Sequence, residues 1–374
     1  MVGVWSWETF LLYIAIMLYL YISTKKLCYR NIGIENAGVN QNSNVRKIFA
    51  FSMLPVIIAS IRKIDSSGLG GSDISFYIQT FEKSTSFSFN GLKFFLSRDN
   101  PMFYFFTFLI RQITSNEMVY LFCIYLIIVI AMYYFFVHVY DEHISYAPLF
   151  FLLYYYLRSY SLLKFMLGLS ILAIAFVKMK ENKKIIAIII SLLAALVHSS
   201  LILATGMLLI YCIVGKLMNK KKWLVALVIG SYIGLFAFRN VLYSFFSQSE
   251  FHNYVDAETS LRAHFTTILC TLLSLILYKR LKENNTNAFF IFVVFFDFAC
   301  IPIQNQIGFF RLHYLFLLPR LYMWGKILDV LKIRIKPRQV EVVGSIAFIA
   351  WTIFRFLREY EAASLMPYVV ELIK

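Results

Sequence analysis

The stretch MVYLFCIYLIIVIAMYYFFV, residues 118–137, is a run of 20 residues without a charged side chain. An apolar run of about 20 residues is long enough, as a helix, to cross the hydrocarbon core of a bilayer. Similar runs recur along all 374 residues, of which 60% are hydrophobic and 15% charged. Soluble domains contain about 25% charged residues. The sequence therefore predicts an all-α, polytopic integral membrane protein.

Basic residues lie in short clusters between the apolar runs. The chain has 36 Lys and Arg against 20 Asp and Glu, which gives a net charge of +16. Loops rich in Lys and Arg stay on the cytoplasmic side, so these clusters predict cytoplasmic loops rather than a nucleic-acid-binding surface. They lie within 25–47, 178–184, 216–222, 279–282 and 332–338. This arrangement places both termini and the segment 63–100 outside the cell.

The region between residue 100 and the cluster at Lys178 needs an odd number of crossings. It contains four apolar runs, namely 101–114, 117–137, 146–160 and 163–179. The first begins with Pro101 and contains Arg111, and runs of about 10–14 residues are typical of re-entrant or interfacial helices. The sequence therefore predicts a single membrane domain, 1–374, with about twelve spans. It also predicts an external segment, 63–115, that includes a short helix near 101–114.

The sequence contains no pattern that predicts a cofactor or a metal. Its five cysteines are scattered and form neither a CxxC pair nor a metal-ligand spacing. P-loop, GxGxxG and HExxH motifs do not occur, which argues against an ATP-driven pump and a zinc protease. Residues 1–22 lack a basic start and a small-residue cleavage site, so we expect the first helix to be retained.

Ionisable and aromatic side chains occur at the predicted external ends of the apolar runs. Ionisable groups are costly at such positions and are therefore functional candidates. Four of them are basic, against the positive-inside tendency, which indicates an anionic ligand on that side. The set comprises Arg62 in VIIASIR, Asp73 and Tyr77 in GLGGSDISFY (68–77), Arg158 and Lys164 in LRSYSLLKFM, His198 in LVHSS, and Arg311 and Tyr314 in GFFRLHYLFLLP.

These residue types suit a lipid-linked diphosphate as substrate. Guanidinium groups would bind phosphate oxygens and stabilise the negative charge of a leaving diphosphate. Asp73 or His198 would take a proton from an attacking hydroxyl. Each residue also has a structural interpretation: Arg62 as a snorkelling arginine, His198 as a helix cap, and Asp73 as a helix N-cap.

The ordered motifs of the chain resemble those of the EpsG-like Wzy polymerases. That family's pattern runs Arg, Gly-Thr-Asp and Tyr, then Glu-Pro, Arg-Gln and His-Ser, and finally Arg and Tyr. Asn100-Pro101 stands where Glu-Pro is usual, and either Lys164 replaces the arginine of Arg-Gln or Arg158 reaches in from the preceding turn. The remaining elements are filled by Arg62, Gly71, Ser72, Asp73, Tyr77, His198, Ser199, Arg311 and Tyr314.

The resemblance implies a glycosyltransferase of the C class (GT-C) in the bacterial cytoplasmic (inner) membrane, with its active site on the external face. It implies transfer of a growing glycan from undecaprenyl diphosphate to the non-reducing end of another lipid-linked repeat unit, without a nucleotide sugar. Membrane lipid, a chain-length regulator and a flippase are the implied partners. The implied roles are catalysis by Asp73 and His198, diphosphate binding by Arg62, Arg158, Lys164 and Arg311, and glycan binding by Tyr77 and Tyr314.

Four alternatives remain open from the residues. A flippase for the same lipid-linked repeats would place ionisable groups near the bilayer midplane, whereas the candidates here cluster at one side, with Asp297 and Arg239 as the exceptions. A membrane O-acyltransferase would gather its histidine and basic residues on the cytoplasmic side. An O-antigen ligase uses the same donor with a different acceptor. A structural membrane subunit would need no external cations.

Overall fold

The computed structural model describes residues 6–32, 41–64, 70–71, 73–84, 100–140, 155–215, 220–247, 261–283, 287–303 and 314–332, with seven further positions between 343 and 369. Within these residues every element with defined bounds is a helix. The helices are α1 (Trp7–Ile32), α2 (Gln41–Ser60), α3 (Ile74–Lys83), α4 (Pro101–Ile113), α5 (Glu117–Val139), α6 (Leu163–Lys180), α7 (Lys184–Val197), a 3₁₀ turn (Ser199–Leu201), α8 (Ile202–Val214), α9 (Lys221–Ser247), α10 (Leu261–Ile276), α11 (Tyr278–Glu283), α12 (Ala288–Ala299) and α13 (Leu317–Lys332).

The chain divides into two compact units. Unit 1 contains Met1–Ile202 and Val343–Lys374, and unit 2 contains Leu203–Val342. In unit 1, α6 packs between α5 and α7, and α2 packs on α5. In unit 2, α12 packs against α9, α10 and α13. The sequence predicted one domain over 1–374, and that assignment stays a prediction.

Three of the described helices are long and apolar enough to cross a membrane. They are Trp7–Cys28, Glu117–Val139 and Lys221–Val241. Shorter apolar helices occur at Lys184–Val197, Ser199–Val214, His264–Ile276 and Ala288–Ile303. The all-helical, apolar architecture agrees with a membrane protein, whereas about twelve spans stays a prediction. A short helix does form near 101–114, as α4, and its re-entrant placement likewise stays a prediction.

The surface of α7 is arranged for contact with lipid. Small side chains at Ala187, Ser191 and Ala194 form its buried face, and small residues allow membrane helices to pack closely. Its exposed residues are large and apolar, such as Ile185 and Ile189. An apolar outer face of this kind would be unfavourable in water, which agrees with a membrane protein.

Helix α6 forms the centre of unit 1 and carries lysines at both of its ends. Most of its residues are buried, because α5 and α7 cover it on either side. Its first turn carries Lys164, and its last turn carries Lys178 and Lys180. At about 1.5 Å per residue, its 18 residues extend roughly 27 Å, which is close to the thickness of a bilayer core.

Candidate active site

The predicted site residues of unit 1 lie at the ends of helices that meet in the fold. Arg62 follows the end of α2, and Asp73 immediately precedes α3. Lys164 lies in the first turn of α6, and His198 ends α7. The N-terminal end of α4 packs nearby, because α4 contacts both α3 and α7.

Arg62 is buried, with 2% of its surface exposed. Its Nε donates to the carbonyl oxygen of Gly70 at 2.7 Å, and its Nη2 donates to the hydroxyl of Tyr125 at 2.8 Å. Its Nη1 donates to the carbonyl of Ala59. The guanidinium also stacks on the ring of Tyr160, 4.1 Å from the ring centroid. All of these described partners are neutral groups.

The bond from Arg62 to Gly70 holds a tight turn that leads into α3. Gly70 has φ +81° and Gly71 has φ +133°, conformations that L side chains rarely adopt. A Cβ at Gly71 would also overlap the carbonyl oxygen of Tyr160. The two glycines therefore allow the turn to pack closely on the backbone of Tyr160. The hydrogen bond from Arg62 to Gly70 holds the turn in this position.

Helix α3 follows this turn and carries Asp73 and Tyr77. Asp73 occupies the N-cap position but its side chain does not cap the helix, so the capping interpretation is not what its carboxylate does here. The side chain is partly exposed. Tyr77 is buried, with its ring centroid 5.2 Å from that of Phe103 in α4. Through this contact the first turn of α3 packs against the first turn of α4.

Lys164 lies beside the same aromatic residues of α4. Its Nζ is 5.9 Å from the ring centroid of Phe103 and 5.9 Å from that of Tyr104. The faces of aromatic rings attract cations. Lys164 is only partly buried.

His198 is held in an extended conformation between α7 and the 3₁₀ turn, with φ −148° and ψ 113°. Its Nδ1 lies 2.8 Å from the hydroxyl oxygen of Ser200. The ring of Phe165 meets its imidazole edge-on, with centroids 5.1 Å apart. Gly168 leaves room for this turn, since a Cβ there would lie 2.6 Å from Leu201 Cδ1 and 3.5 Å from His198 Cβ.

These contacts join motif residues from four separate parts of the sequence. Phe103 contacts Tyr77 on one side and Lys164 on the other. The neighbour of Lys164, Phe165, contacts His198. An ammonium, a phenol and an imidazole thus lie along one chain of aromatic contacts, and Asp73 precedes Tyr77 by about one helical turn. The set can bind an anion and transfer a proton.

Of the three remaining predicted residues, two lie within the described part of the chain. Arg158 is partly exposed in the turn before α6. Tyr314 is buried, with 4% of its surface exposed, and belongs to unit 2. Arg311 lies outside the described residues. Within the described part of the chain, no group of three or more His, Cys, Asp or Glu could hold a metal.

Three residues of this region were not predicted as site residues. Tyr125 and Tyr160 enclose Arg62, and Asn100 accepts a hydrogen bond from Ser199. The two tyrosines are among 25 in the chain, so composition alone does not distinguish them. The position of Asn100 before Pro101 was visible in the sequence, but its partner is 99 residues away.

Comparison with known proteins identifies the family. No curated protein and no solved structure shows a significant match to the chain. The sequence profile of the EpsG family matches residues 41–370, which include every predicted site residue. The chain therefore belongs to the EpsG family, the EpsG-like polysaccharide polymerases.

Proposed function

We propose that the protein polymerises lipid-linked oligosaccharide repeat units at the external face of the bacterial cytoplasmic membrane. A hydroxyl oxygen at the non-reducing end of one unit attacks the anomeric carbon of the growing glycan. The new glycosidic bond forms as the bond from that carbon to undecaprenyl diphosphate breaks. The diphosphate leaves with the bonding electron pair, and a side chain takes the hydroxyl proton. We further propose a GT-C architecture with about twelve spans.

His198 is the base in this proposal. Its Nδ1 contacts the Ser200 hydroxyl, which orients the ring, and we assign proton transfer to Nε2. Asp73 lies at the start of α3 with a partly exposed carboxylate, one helical turn before Tyr77. We assign these two residues to positioning the acceptor sugar, because a carboxylate and a phenol both form hydrogen bonds to hydroxyl groups.

The cations divide into two roles. Lys164 and Arg158 are partly exposed and are assigned to direct contact with the diphosphate. Arg311 and Tyr314 retain the diphosphate-binding and glycan-binding roles that the family pattern implies. Arg62 donates to protein groups, so its proposed part is to fix the turn at Gly70 and to supply positive potential from a buried position.

The observation that carries the proposal is the chain of contacts from Tyr77 through Phe103 to Lys164, and from Phe165 to His198. It brings together residues that the family's pattern separates widely along the sequence. The opposite end of α6 supports the orientation, because Lys178, Glu181 and Lys183 form a basic hairpin with ion pairs of 3.0 and 2.8 Å. A basic hairpin is expected on the cytoplasmic side, which leaves Lys164 and His198 outside.

The test is the length of the polysaccharide made by the host. We would delete the gene and supply back the wild type, His198→Ala or Lys164→Ala. Matched controls are His138→Ala at the end of α5 and Lys180→Ala at the other end of α6. Each control removes the same residue type from the basic end of unit 1. Membrane abundance of every variant is measured by immunoblot.

We expect the deletion to leave single repeat units in place of the ladder. The wild type and both controls restore long chains, whereas His198→Ala and Lys164→Ala do not. A missing base reduces the rate by about 10²–10⁴-fold, which is enough to abolish long chains. A ladder of normal length in the deletion strain would overturn the proposal, provided that no second gene supplies the activity.

A flippase for the same lipid-linked units is the second candidate. The observation that favours it is the buried pair of Asp297 and Arg320 in unit 2, both 2% exposed or less. Buried ionisable pairs within membrane helices are typical of transport pathways. A flippase would move the lipid-linked repeat across the membrane unaltered, so the size of the product distinguishes the two functions.

A further inference from the structure

Asn100 connects two of the motif segments through one hydrogen bond. Its Oδ1 accepts from the backbone N–H of Ser199 at 2.6 Å, across 99 residues of sequence. Asn100 immediately precedes α4, and Ser199 immediately follows His198. The side chain is nearly buried, with 9% of its surface exposed. The bond therefore ties the start of α4 to the backbone that carries the imidazole.

Comparison with two other asparagines shows that this arrangement is specific. Asn116 and Asn287 also occupy N-cap positions, and each uses Oδ1 to accept from backbone N–H groups of its own helix. This is the usual role of asparagine at that position, worth about 1 kcal/mol. Asn100 does not cap α4. Its acceptor is directed instead at the turn after α7.

The backbone of Asn100 explains why its side chain reaches away from its own helix. Asn100 has φ 64° and ψ 52°, in the left-handed region, whereas Asn116 and Asn287 are extended. Asparagine tolerates this region better than most residues. Pro101 follows at the first position of α4, where its missing N–H needs no partner. The conformation thus frees Oδ1 from the helix and presents it to Ser199.

We propose that Asn100 is a positioning residue that fixes the direction of the His198 imidazole. The inference rests on the proposed function, in which His198 is the base. Ser200 and Phe165 contact the imidazole ring of His198. The hydrogen bond from Ser199 to Asn100 fixes the backbone between His198 and Ser200. Without it, the backbone at Ser199, which directly follows the extended His198, is no longer tied to the start of α4. A shift of about 1 Å at a reacting group can slow a reaction about 100-fold.

The first test separates the acceptor from the backbone conformation. Asn100→Gly keeps access to the left-handed region and removes the acceptor, whereas Asn100→Asp keeps an acceptor oxygen. The matched control is Asn182→Gly, since Asn182 has φ 60° and is exposed in the basic hairpin between α6 and α7. Purified full-length proteins in liposomes are given lipid-linked repeat units extracted from the deletion strain. Initial rates are measured against substrate concentration.

We expect Asn100→Gly to lower kcat by about 10- to 100-fold with KM changed less than about 3-fold, because the base is misplaced and the substrate contacts remain. Asn100→Asp keeps most of the wild-type kcat, and Asn182→Gly keeps all of it. The proposal is overturned if Asn100→Gly turns over at the wild-type rate, or if Asn100→Asp is as slow as Asn100→Gly.

The second test removes the donor. Ser199→Pro eliminates the N–H, and proline suits the first position of a 3₁₀ turn after an extended residue such as His198. Ser199→Ala keeps the N–H and removes only the hydroxyl. Combining Ser199→Pro with Asn100→Gly should slow the reaction no more than either change alone, since both remove one bond. Multiplying losses would contradict the inference.

Failure of the inference and failure of the proposed function give different results. If the wild type joins no repeat units, the proposed function fails and this role for Asn100 falls with it. If the wild type polymerises and Asn100→Gly does so equally well, only the role of Asn100 fails.

Discussion

The two units each bury an arginine, and the two arginines are held in opposite ways. Arg62 in unit 1 and Arg320 in unit 2 are both 2% exposed. Arg320 donates from Nε and Nη2 to Oδ2 of Asp297, each at 2.9 Å. Arg62 donates to carbonyls and a tyrosine hydroxyl. Arg320 is paired with a carboxylate, whereas the partners of Arg62 within the described residues are all neutral.

This difference indicates a different role for each arginine, in activity for Arg62 and in stability for Arg320. The ion pair of unit 2 joins α12 to α13, and removing one partner of a buried pair is strongly destabilising because it leaves an uncompensated charge. A buried cation with neutral partners is less stable, because dipoles and aromatic rings replace only part of its hydration. We expect such a cation to contribute positive potential at the end of α2. We therefore expect the loss of Arg62 to affect activity more than stability, and the loss of Asp297 to affect stability more than activity.

The largest expected effect is on the pair in unit 2. Asp297→Ala leaves Arg320 buried without its counter-ion, which should lower the free energy of unfolding by about 3–5 kcal/mol. Thermal unfolding of the protein in detergent measures the loss. The double variant Asp297→Leu with Arg320→Met replaces both charges by apolar groups and should recover most of the stability. A single variant as stable as the wild type would contradict a structural role for the pair.

The next effect is on Arg62. Arg62→Met should lower the polymerisation rate about 100-fold, equivalent to about 2.7 kcal/mol, because the turn at Gly70 and the positive potential are both lost. Its unfolding free energy should fall by less than about 2 kcal/mol, since Tyr125 keeps its bond to the carbonyl of Ser159. Arg62→Lys retains the charge and should recover part of the rate. If Arg62→Lys and Arg62→Met are equally inactive, the geometry of the turn matters and the charge does not.

The sequence predicted the class of fold because hydropathy is a local property. The run at 118–137 became α5, and a helix formed near 101–114 as α4. The order of motifs predicted the family and named His198, Lys164 and Asp73. It did not predict the partners of Arg62, because Tyr125 is 63 residues away and is one tyrosine among 25. Such contacts depend on how the helices pack.

Substitution of Gly71 is expected to have a smaller effect on the polymerisation rate, and Gly206 provides a matched control. Gly71→Ala would require a strained φ and would overlap the carbonyl oxygen of Tyr160, a strain of about 1–3 kcal/mol. The turn must shift, and with it Asp73, so we expect the polymerisation rate to fall about 10-fold. Gly206→Ala in α8 has open space around the new Cβ and should be neutral or slightly stabilising. Equal rates for the two variants would show that the turn does not position the site.

The smallest effect concerns the hydroxyl that links Arg62 to the chain at Ser159. Tyr125→Phe removes one donor and acceptor, a change of about 1 kcal/mol, and should slow polymerisation a few-fold. Tyr133→Phe in the same helix removes a hydroxyl that contacts Ser23 at 2.7 Å, and is the control. Initial rates of the two purified variants measure the difference. A slower Tyr133→Phe protein would indicate a general effect on α5 packing instead.

The most direct test of the account is reconstitution of the purified wild-type protein in liposomes with lipid-linked repeat units as the sole substrate. We predict glycans that grow by whole repeats, with one undecaprenyl diphosphate released for each bond formed, and no products from His198→Ala. Repeat units that cross the membrane unaltered, or that remain unchanged with fully folded protein, would contradict it.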